Sequence, residues 1–339
     1  MRRIHVIAAV IRDDQNRILI AKRPDHAHQG GLWEFPGGKL EDGEQRFHGL
    51  VRELREVLGI TVTHARPLLD IRHDYPDKSV RLDVWLVTGF DGQAHGAEGQ
   101  PVRWVTAAGL DEYEFPAANA PVVRAAQLPE CYLITPDMND EQALFAGLQR
   151  AKDAGIRLVQ LRQTQLSGSA YRGLVERVLE RFGADFRWML KGDEPPEWPG
   201  VGWHLTGRQL RKIWEERCAA EASFAAGAPL LQGSSPGVGA VPPPRRAASL
   251  FAASCHDAEE LVMAAELGVD FVTLSPVLPT QSHPGAAHLG WERARELIDS
   301  VNMPVYLLGG LGPQELSQAF EAGAQGVAGI RQLWELAGE

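Results

Sequence analysis

Residues 37–60 read Gly37-Gly38-Lys39-Leu40-Glu41-Asp42-Gly43-Glu44, then seven residues, then Arg52-Glu53-Leu54-Arg55-Glu56-Val57-Leu58-Gly59-Ile60. Apolar residues recur with helical period from Phe47 to Leu58, so the spacing predicts an amphipathic helix that stops near Gly59. On that helix Glu53 and Glu56 are three apart and share a face. Two carboxylates so placed, beside the open carbonyls of a glycine turn at Gly37, suit a hard oxygen-seeking cation, magnesium or manganese. Such a cation binds phosphate oxygens and activates water. A solvated helix face would also carry Arg52, Glu53, Arg55 and Glu56. The glycines and Glu44 at fixed offsets favour the phosphate reading.

Outward from this segment, the chain of 339 residues is longer than one hydrophobic core usually organises, and two domains are expected. Apolar residues are 44% and charged residues 23%, enough for two cores and unlike a disordered chain. The formal net charge of -10 excludes broad contact with duplex nucleic acid, which needs clustered Lys and Arg. A free nucleotide handled through a metal is compatible with it. Cys131, Cys218 and Cys255 are far apart and lack metal-ligand spacing, which points to a reduced, cytoplasmic compartment. Met1-Arg2-Arg3 and the run Ile4–Ile11 are too short for a secretory leader, and no run reaches the roughly 20 apolar residues of a membrane span.

Ile4–Ile11 and Arg17–Ala21, separated by Asp13-Asp14-Gln15-Asn16, read instead as two strands. Residues 1–128 mix short strands with the one strong helical pattern. A helical segment then meets Pro129, which marks a short linker. Beyond it, strand patterns fall at 131–136, 157–162, 185–191, 201–206, 249–255, 270–276, 304–309 and 325–330. Helical patterns at Ser169–Phe182, Asp257–Leu267 and Trp291–Val301 alternate with them. Eight such strands are what a closed β/α barrel requires. Gly192–Gly200 is too short and proline-rich for a helix, and Ala219–Ala248 reads as a loose insertion.

The segment 37–60 resembles the Nudix box at every fixed position except one, where Val57 replaces the second Glu of a pair. The likeness to the MutT branch of that family covers nearly all of residues 1–128. It includes Trp33-Glu34-Phe35-Pro36-Gly37-Gly38-Lys39, Glu98-Gly99-Gln100-Pro101 with Trp104, and Phe115-Pro116-Ala117-Ala118-Asn119-Ala120-Pro121-Val122. The resemblance implies an α/β/α sandwich with a mixed sheet that hydrolyses oxidised purine nucleoside triphosphates, 8-oxo-dGTP to 8-oxo-dGMP and pyrophosphate, in support of nucleotide-pool sanitation and DNA repair. It implies a metal site of Glu53, Glu56, Glu98 and the Gly37 carbonyl, with Glu44 and Arg52 pairing to fix loop against helix. Either Glu53 or Glu98 is the general base. Arg23, His28, Glu34, Phe35, Pro36, Gly37 and Asn119 fall at nucleotide-contacting positions, Arg23 towards phosphate and Asn119 towards the purine edge, where an amide offers both donor and acceptor. Asn119 could instead simply start a turn. Val57 removes one carboxylate, so that either the remaining ligands hold the metal with more water or binding weakens.

Residues 131–339 are similar to thiamin phosphate synthase and its TenI relatives in Leu158–Arg162, Ala253–His256, Leu274–Thr280 and Leu308–Leu311. This implies a TIM-type (β/α)8 barrel with its site at the strand C-terminal ends, and phosphate-binding loops at Gly309-Gly310 and Gly326–Ile330. The departures are Asp193 as the one acid left near the third strand, Gln209 near the second acid position, Thr164 in place of a lysine, and His283 at another basic position. The alternatives are a synthase, a TenI-like binder of a phosphate-bearing ligand, and a barrel kept for structure.

Overall fold

The run Val6–Ile11 is apolar without interruption, and from Ile7 onward both faces of the strand are buried. A computed structural model describes residues 3–225, 249–280, 285 and 287–336, and the chain divides into two compact units, the first of Met1–Leu128 with Asn302–Pro304 and Phe320–Gln325, the second of Pro129–Val301, Val305–Ala319 and Gly326–Glu339. In chain order the first unit contains β1 (Ile4–Ile11), β2 (Ile18–Lys22), β3 (Trp33–Glu34), β4 (Gly37–Lys39), α1 (Arg46–Leu58), β5 (Thr61–Asp74), β6 (Ser79–Asp91), β7 (Val102–Val105) and α2 (Ala120–Gln127). One sheet has the order β4-β1-β6-β5 and a second has β3-β2-β7. β1 runs parallel to β6, with Ile7 opposite Asp83, and antiparallel to β4, with Ile7 opposite Gly38. The first sheet is therefore mixed, as the MutT resemblance implies.

Alternation along β1 supplies two cores at once. Ile7, Ala9 and Ile11 pack with Leu50, Leu54 and Leu58 of α1, while Ala8 and Val10 pack with Ile18, Ile20, Phe35 and the α2 residues Val122 and Val123. Helix, sheet and helix thus form three layers. Leu50, Leu54 and Leu58 are fully buried, each contributing about 2 kcal/mol of burial energy. The helix expected from Phe47 to Leu58 begins one residue earlier and stops where the sequence places its end. Gly59 adopts left-handed backbone, φ 69°, its N–H donates to the Arg55 carbonyl, and the Ile60 N–H donates to that of Leu54.

The second unit is a closed barrel of β8 (Cys131–Ile134), β9 (Leu158–Leu161), β10 (Arg187–Leu190), β11 (Gly202–Leu205), β12 (Phe251–Cys255), β13 (Phe271–Leu274), β14 (Val305–Leu308) and β15 (Gly326–Gly329). Every neighbouring pair is parallel. Its helices are α3 (Glu141–Asp153), α4 (Gly168–Phe182), α5 (Gly207–Ala225), α6 (Ala258–Leu267), α7 (Gly290–Ile298), α8 (Leu316–Glu321) and α9 (Arg331–Glu335). No helix joins β10 to β11, where the proline-rich turn instead offers the Gly192 carbonyl to Trp203 Nε1 and Gln209 Nε2, each at 2.9 Å.

One expectation needs correction. The segment from Ala219 is not loose at its start, because α5 continues to Ala225. Alanine is the strongest helix former, so Ala219, Ala220 and Ala222 extend the helix rather than interrupt it. The rest of the expected insertion, 226–248, and His283 lie outside the described residues.

The barrel lumen is packed by Tyr132, Phe271 and Tyr306, with ring centroids 5.4 to 5.7 Å apart. A polar thread runs through it. Tyr132 Oη and His204 Nδ1 share a hydrogen bond of 2.8 Å, and His204 Nε2 and Ser254 Oγ one of 3.0 Å. Burial pushes the His204 imidazole down to about 3, so it stays neutral at physiological pH.

Candidate active site

Helix α1 and the glycine turn before it hold the carboxylates. Arg52 makes a two-pronged pair with Glu44, Nε to Oε1 at 2.9 Å and Nη2 to Oε2 at 2.8 Å, and also donates to the Lys39 carbonyl at 3.2 Å. Its Nη1 donates to Glu53 Oε1 at 2.8 Å and to Glu56 Oε2 at 3.3 Å. The expected pairing of Glu44 with Arg52 is therefore present, tying the turn to the helix. Glu53 is buried, and its carboxyl lies flat against Gly38. A Cβ added to Gly38 would stand 1.9 Å from Glu53 Oε2, and one on Gly37 would stand 2.0 Å from the Ile7 carbonyl oxygen. These two positions need glycine because other groups occupy the space of a side chain.

The electrostatics divide the two glutamates. Burial raises Glu53 above the ordinary carboxylate value, while Arg52 opposes the rise. For Glu44, the hydrogen bonds from Arg52 outweigh desolvation and lower the carboxyl from 4.5 to about 2. A carboxyl depressed on folding stabilises above its unfolded value and loses that contribution as pH falls through its folded value. The Nudix unit is thus expected to lose stability between about pH 4.5 and 2 through this pair. Urea unfolding across that window should give a flatter acid limb in Glu44→Gln, and an unchanged limb would exclude the pair as its source.

Two hollows adjoin this cluster. The first, about 120 Å³, is lined by Arg23, His28, Glu34, Phe35, Gly37 and Asn119, together with Tyr75 and Lys78. The second, about 530 Å³, is lined by Arg23, Glu34, Pro36, Gly37, Val57 and Glu98, together with Lys22, Asp25, His26 and Gln100. Arg23, Glu34 and Gly37 line both. All seven residues expected to contact nucleotide line one hollow or the other. Tyr75, Lys78 and Gln100 were missed by sequence reasoning. The Tyr75-Pro76-Asp77-Lys78 turn between β5 and β6 carried a detectable signal in its proline and aspartate.

Individual side chains are held in distinct ways. Arg23 forms a close ion pair with Glu34 and donates Nε to the His28 carbonyl at 3.0 Å. Burial raises the Glu34 carboxyl against the pull of Arg23. Phe35 stacks on Phe115 with centroids 5.4 Å apart. Asn119 stands at the N-cap of α2, 8% exposed, yet its side chain makes no capping hydrogen bond. Asn119 also lines the smaller hollow.

The four groups expected around a metal are only partly gathered. Among the described residues no three His, Cys, Asp or Glu stand together as a metal-holding group. Glu53 and Glu56 both turn to one cationic point, now the Arg52 Nη1. Glu98 and the Gly37 residue line the cleft alongside Val57. Glu53 and Glu56 are not among the residues lining either hollow, and magnesium commonly binds through one or two carboxylates plus substrate phosphates and keeps several waters, so such an ion does not need a preformed cluster.

In the barrel, Asp193 Oδ1 accepts from Gln209 Nε2 at 2.7 Å, and Gln209 Oε1 accepts from Thr206 N at 2.9 Å. An amide engages the acid where a second acid was expected. Thr164 donates Oγ1 to Asp137 Oδ2 at 2.7 Å. Gly309 and Gly310 have φ of 106° and 70°, and a Cβ on them would stand 2.9 Å from Pro276 Cα and 2.8 Å from the Pro279 carbonyl. Packing against the 276–279 segment thus requires these glycines independently of any anion.

Fold and site together define an α/β protein in which a sandwich with a nucleotide-sized, carboxylate-edged cleft precedes a parallel β/α barrel. Residues 7–125 match the NUDIX domain family and residues 243–333 match the thiamine monophosphate synthase family. The chain is 39% identical over 123 residues to the 8-oxo-dGTP diphosphatase of Escherichia coli (strain K12), covering 36% of this chain and 95% of that protein. It is 37% identical over 125 residues to the CTP pyrophosphohydrolase of the same organism, 37% of this chain and 92% of that protein. It is also 30% identical over 211 residues to a protein of Aquifex aeolicus (strain VF5) that carries the name of a thiamine-phosphate synthase, 62% of this chain and all of that protein. The chain belongs to the Nudix family through its first unit and to the thiamine monophosphate synthase and TenI family through its second. Its first unit is a Nudix pyrophosphohydrolase that hydrolyses nucleotides.

Proposed function

We propose that the first unit hydrolyses oxidised purine nucleoside triphosphates, converting 8-oxo-dGTP to 8-oxo-dGMP and pyrophosphate and so clearing the nucleotide pool that feeds DNA synthesis. The observation that carries this reading is the uncommitted Asn119 amide in the small hollow, beside Phe35 and His28 and next to the larger cleft through Arg23. An amide with a donor and an acceptor discriminates purine edges. Arg23 is suited to phosphate oxygens and the cleft to the triphosphate chain. Among the described residues no helix is long and apolar enough to cross a membrane, and a cytoplasmic enzyme is proposed.

Glu53, Glu56 and Glu98 with the Gly37 carbonyl would hold magnesium, or manganese. When bound, the ion supplies positive charge that neutralises the triphosphate and polarises water. Glu53, raised by burial and oriented by Arg52, takes the proton from the attacking water, and Glu98 is the alternative base. Glu44 keeps Arg52 in place. Pyrophosphate release from 8-oxo-dGTP, dGTP and CTP in magnesium tests the substrate assignment. Preference for 8-oxo-dGTP supports it, and preference for CTP would move the chain to the other relative's activity.

Val57→Glu tests whether the missing carboxylate matters. A competent site should gain less than about tenfold in kcat, because phosphate oxygens and water complete the ion's shell. A gain of several orders would mean that the native cleft binds nucleotide without turning it over.

For the barrel we propose binding of a phosphate-bearing ligand at the strand C-terminal ends. Synthase chemistry has less support, since Asp193 is engaged by the Gln209 amide rather than joined by a second acid. Assay for condensation of thiazole and pyrimidine phosphates separates these readings.

A further inference from the structure

The loop that carries Glu98 is fastened to the end of α1 by one side chain and two backbone hydrogen bonds. Gln100 Oε1 accepts from the Glu98 backbone N–H at 3.0 Å, while Gln100 Nε2 donates to the Val57 carbonyl at 2.7 Å. The same carbonyl accepts from Ala97 N at 3.1 Å, the Leu58 carbonyl accepts from His95 N at 3.1 Å, and Gly99 N closes the loop onto Gly96 O at 3.0 Å. Carbonyls in the last turn of a helix lack intrahelical donors, so α1 offers them at a fixed place. Glu53 and Glu56 lie on that helix, and Glu98 and Gln100 line one wall of the cleft with Val57.

We infer that Gln100 is a positioning residue for hydrolysis, setting the Glu98 carboxylate against the α1 carboxylates by bridging the Glu98 amide to the Val57 carbonyl. The inference rests on the assignment of Glu98 to the reaction proposed above. Position 57 contributes to the site through its backbone, which explains how the turn of helix that lost a carboxylate still organises the cleft. A methyl group that reaches neither partner, or a carboxylate that cannot donate, should loosen the loop around Glu98, which the Ala97 and His95 backbone bonds still tether to α1. Groups that orient a ligating carboxylate typically change activity or metal affinity by about 10–100-fold when replaced.

The test is a double-mutant cycle in the full chain on 8-oxo-dGTP hydrolysis, with Gln100→Ala, the isosteric Gln100→Glu, Glu98→Gln and the doubles. Hydrogen exchange of the Ala97 and Glu98 amides is read in parallel. Expected are a kcat lower by at least about tenfold in both Gln100 variants, a raised magnesium half-saturation, little change in KM, and faster exchange of the two amides. In the Glu98→Gln background, Gln100→Ala should lower kcat no further, whereas a merely structural role would give additive losses. Additive losses, or unchanged exchange in both Gln100 variants, would overturn the inference. If Glu98→Gln alone is fully active, the Glu98 assignment fails and the inference fails with it. If Glu98→Gln is impaired while both Gln100 variants are active, the inference alone fails.

Discussion

Replacing Glu53 by glutamine is expected to lower kcat for pyrophosphate release by about a thousandfold, within the range a positioned general base contributes. The substitution conserves shape, and glutamine keeps an oxygen for Arg52 Nη1, now 2.8 Å from Glu53 Oε1. Arg52 remains anchored by its two bonds to Glu44. What disappears is the negative charge and the basicity. KM should change little, because the proposed nucleotide contacts come from Arg23, Phe35 and Asn119 in the adjoining hollow. The pH profile supplies a second readout. Burial raises the Glu53 carboxyl in the metal-free fold while a bound cation favours its ionised form, so the acid limb of kcat should move to higher pH as magnesium is lowered.

Linkage then fixes the sign of the stability effect. A carboxyl whose folded value is raised holds its proton more tightly in the folded state, so its contribution to stability is lost as pH rises through that value. Above it, the ionised Glu53 is a strain that the fold carries for activity, and Glu53→Gln should unfold at an equal or higher temperature than the parent. Lost activity with undiminished stability separates a chemical role from a structural one. If the variant keeps a tenth or more of the parent's kcat, Glu53 is not the base, and Glu98 takes its place in the reaction.

The parts of this molecule legible in the sequence are those whose physics is local. The period of Phe47–Leu58 and the glycine after it fixed α1, and the repeated alternation of strand and helix foreshadowed the closed barrel. Gly37 and Gly38 were legible as a turn, but the reason for them was not. They are excluded from bearing side chains by the Ile7 carbonyl and the Glu53 carboxylate, groups distant in sequence. Asn119 had two readings in the sequence, and no local pattern announces that it stands at the N-cap of α2 without a capping bond from its side chain. Gln100 stood in a segment that resembles MutT, but its role was not legible, because its partners, Glu98 N and Val57 O, become neighbours only when the loop folds onto the helix. The helical extension to Ala225 was misjudged because alanine in an Ala-Gly-Pro-Ser context was weighed by its company rather than by its own propensity.

Arg46→Ala should destabilise the Nudix unit by about 3 kcal/mol, the lower end of the cost of breaking a buried ion pair. Asp83 on β6 has no solvent exposure, and both Nε and Nη2 of Arg46, the first residue of α1, donate to its carboxylate. The guanidinium lies over the Trp85 ring at 5.7 Å. The arginine side chain is itself 43% exposed, so water screens one side of the pair and the upper end of the range does not apply. Removing Arg46 leaves a carboxylate sealed in the sheet, with His5 Nε2 3.6 Å away, which must stay charged without the guanidinium or take up a proton. The damage has a path to the site, because Asp83, Ile7 and Gly38 occupy one row across β6, β1 and β4, and Gly38 touches Glu53. Hydrogen exchange should therefore quicken in α1 and β6 together, with pyrophosphate release falling at temperatures the parent tolerates. Arg46→Met combined with Asp83→Leu should recover most of the loss, since apolar residues of similar volume replace a buried pair without stranding a charge. A single variant destabilised by less than about 1 kcal/mol would mean that water reaches Asp83 from the exposed side of the helix and that the pair behaves as a surface one.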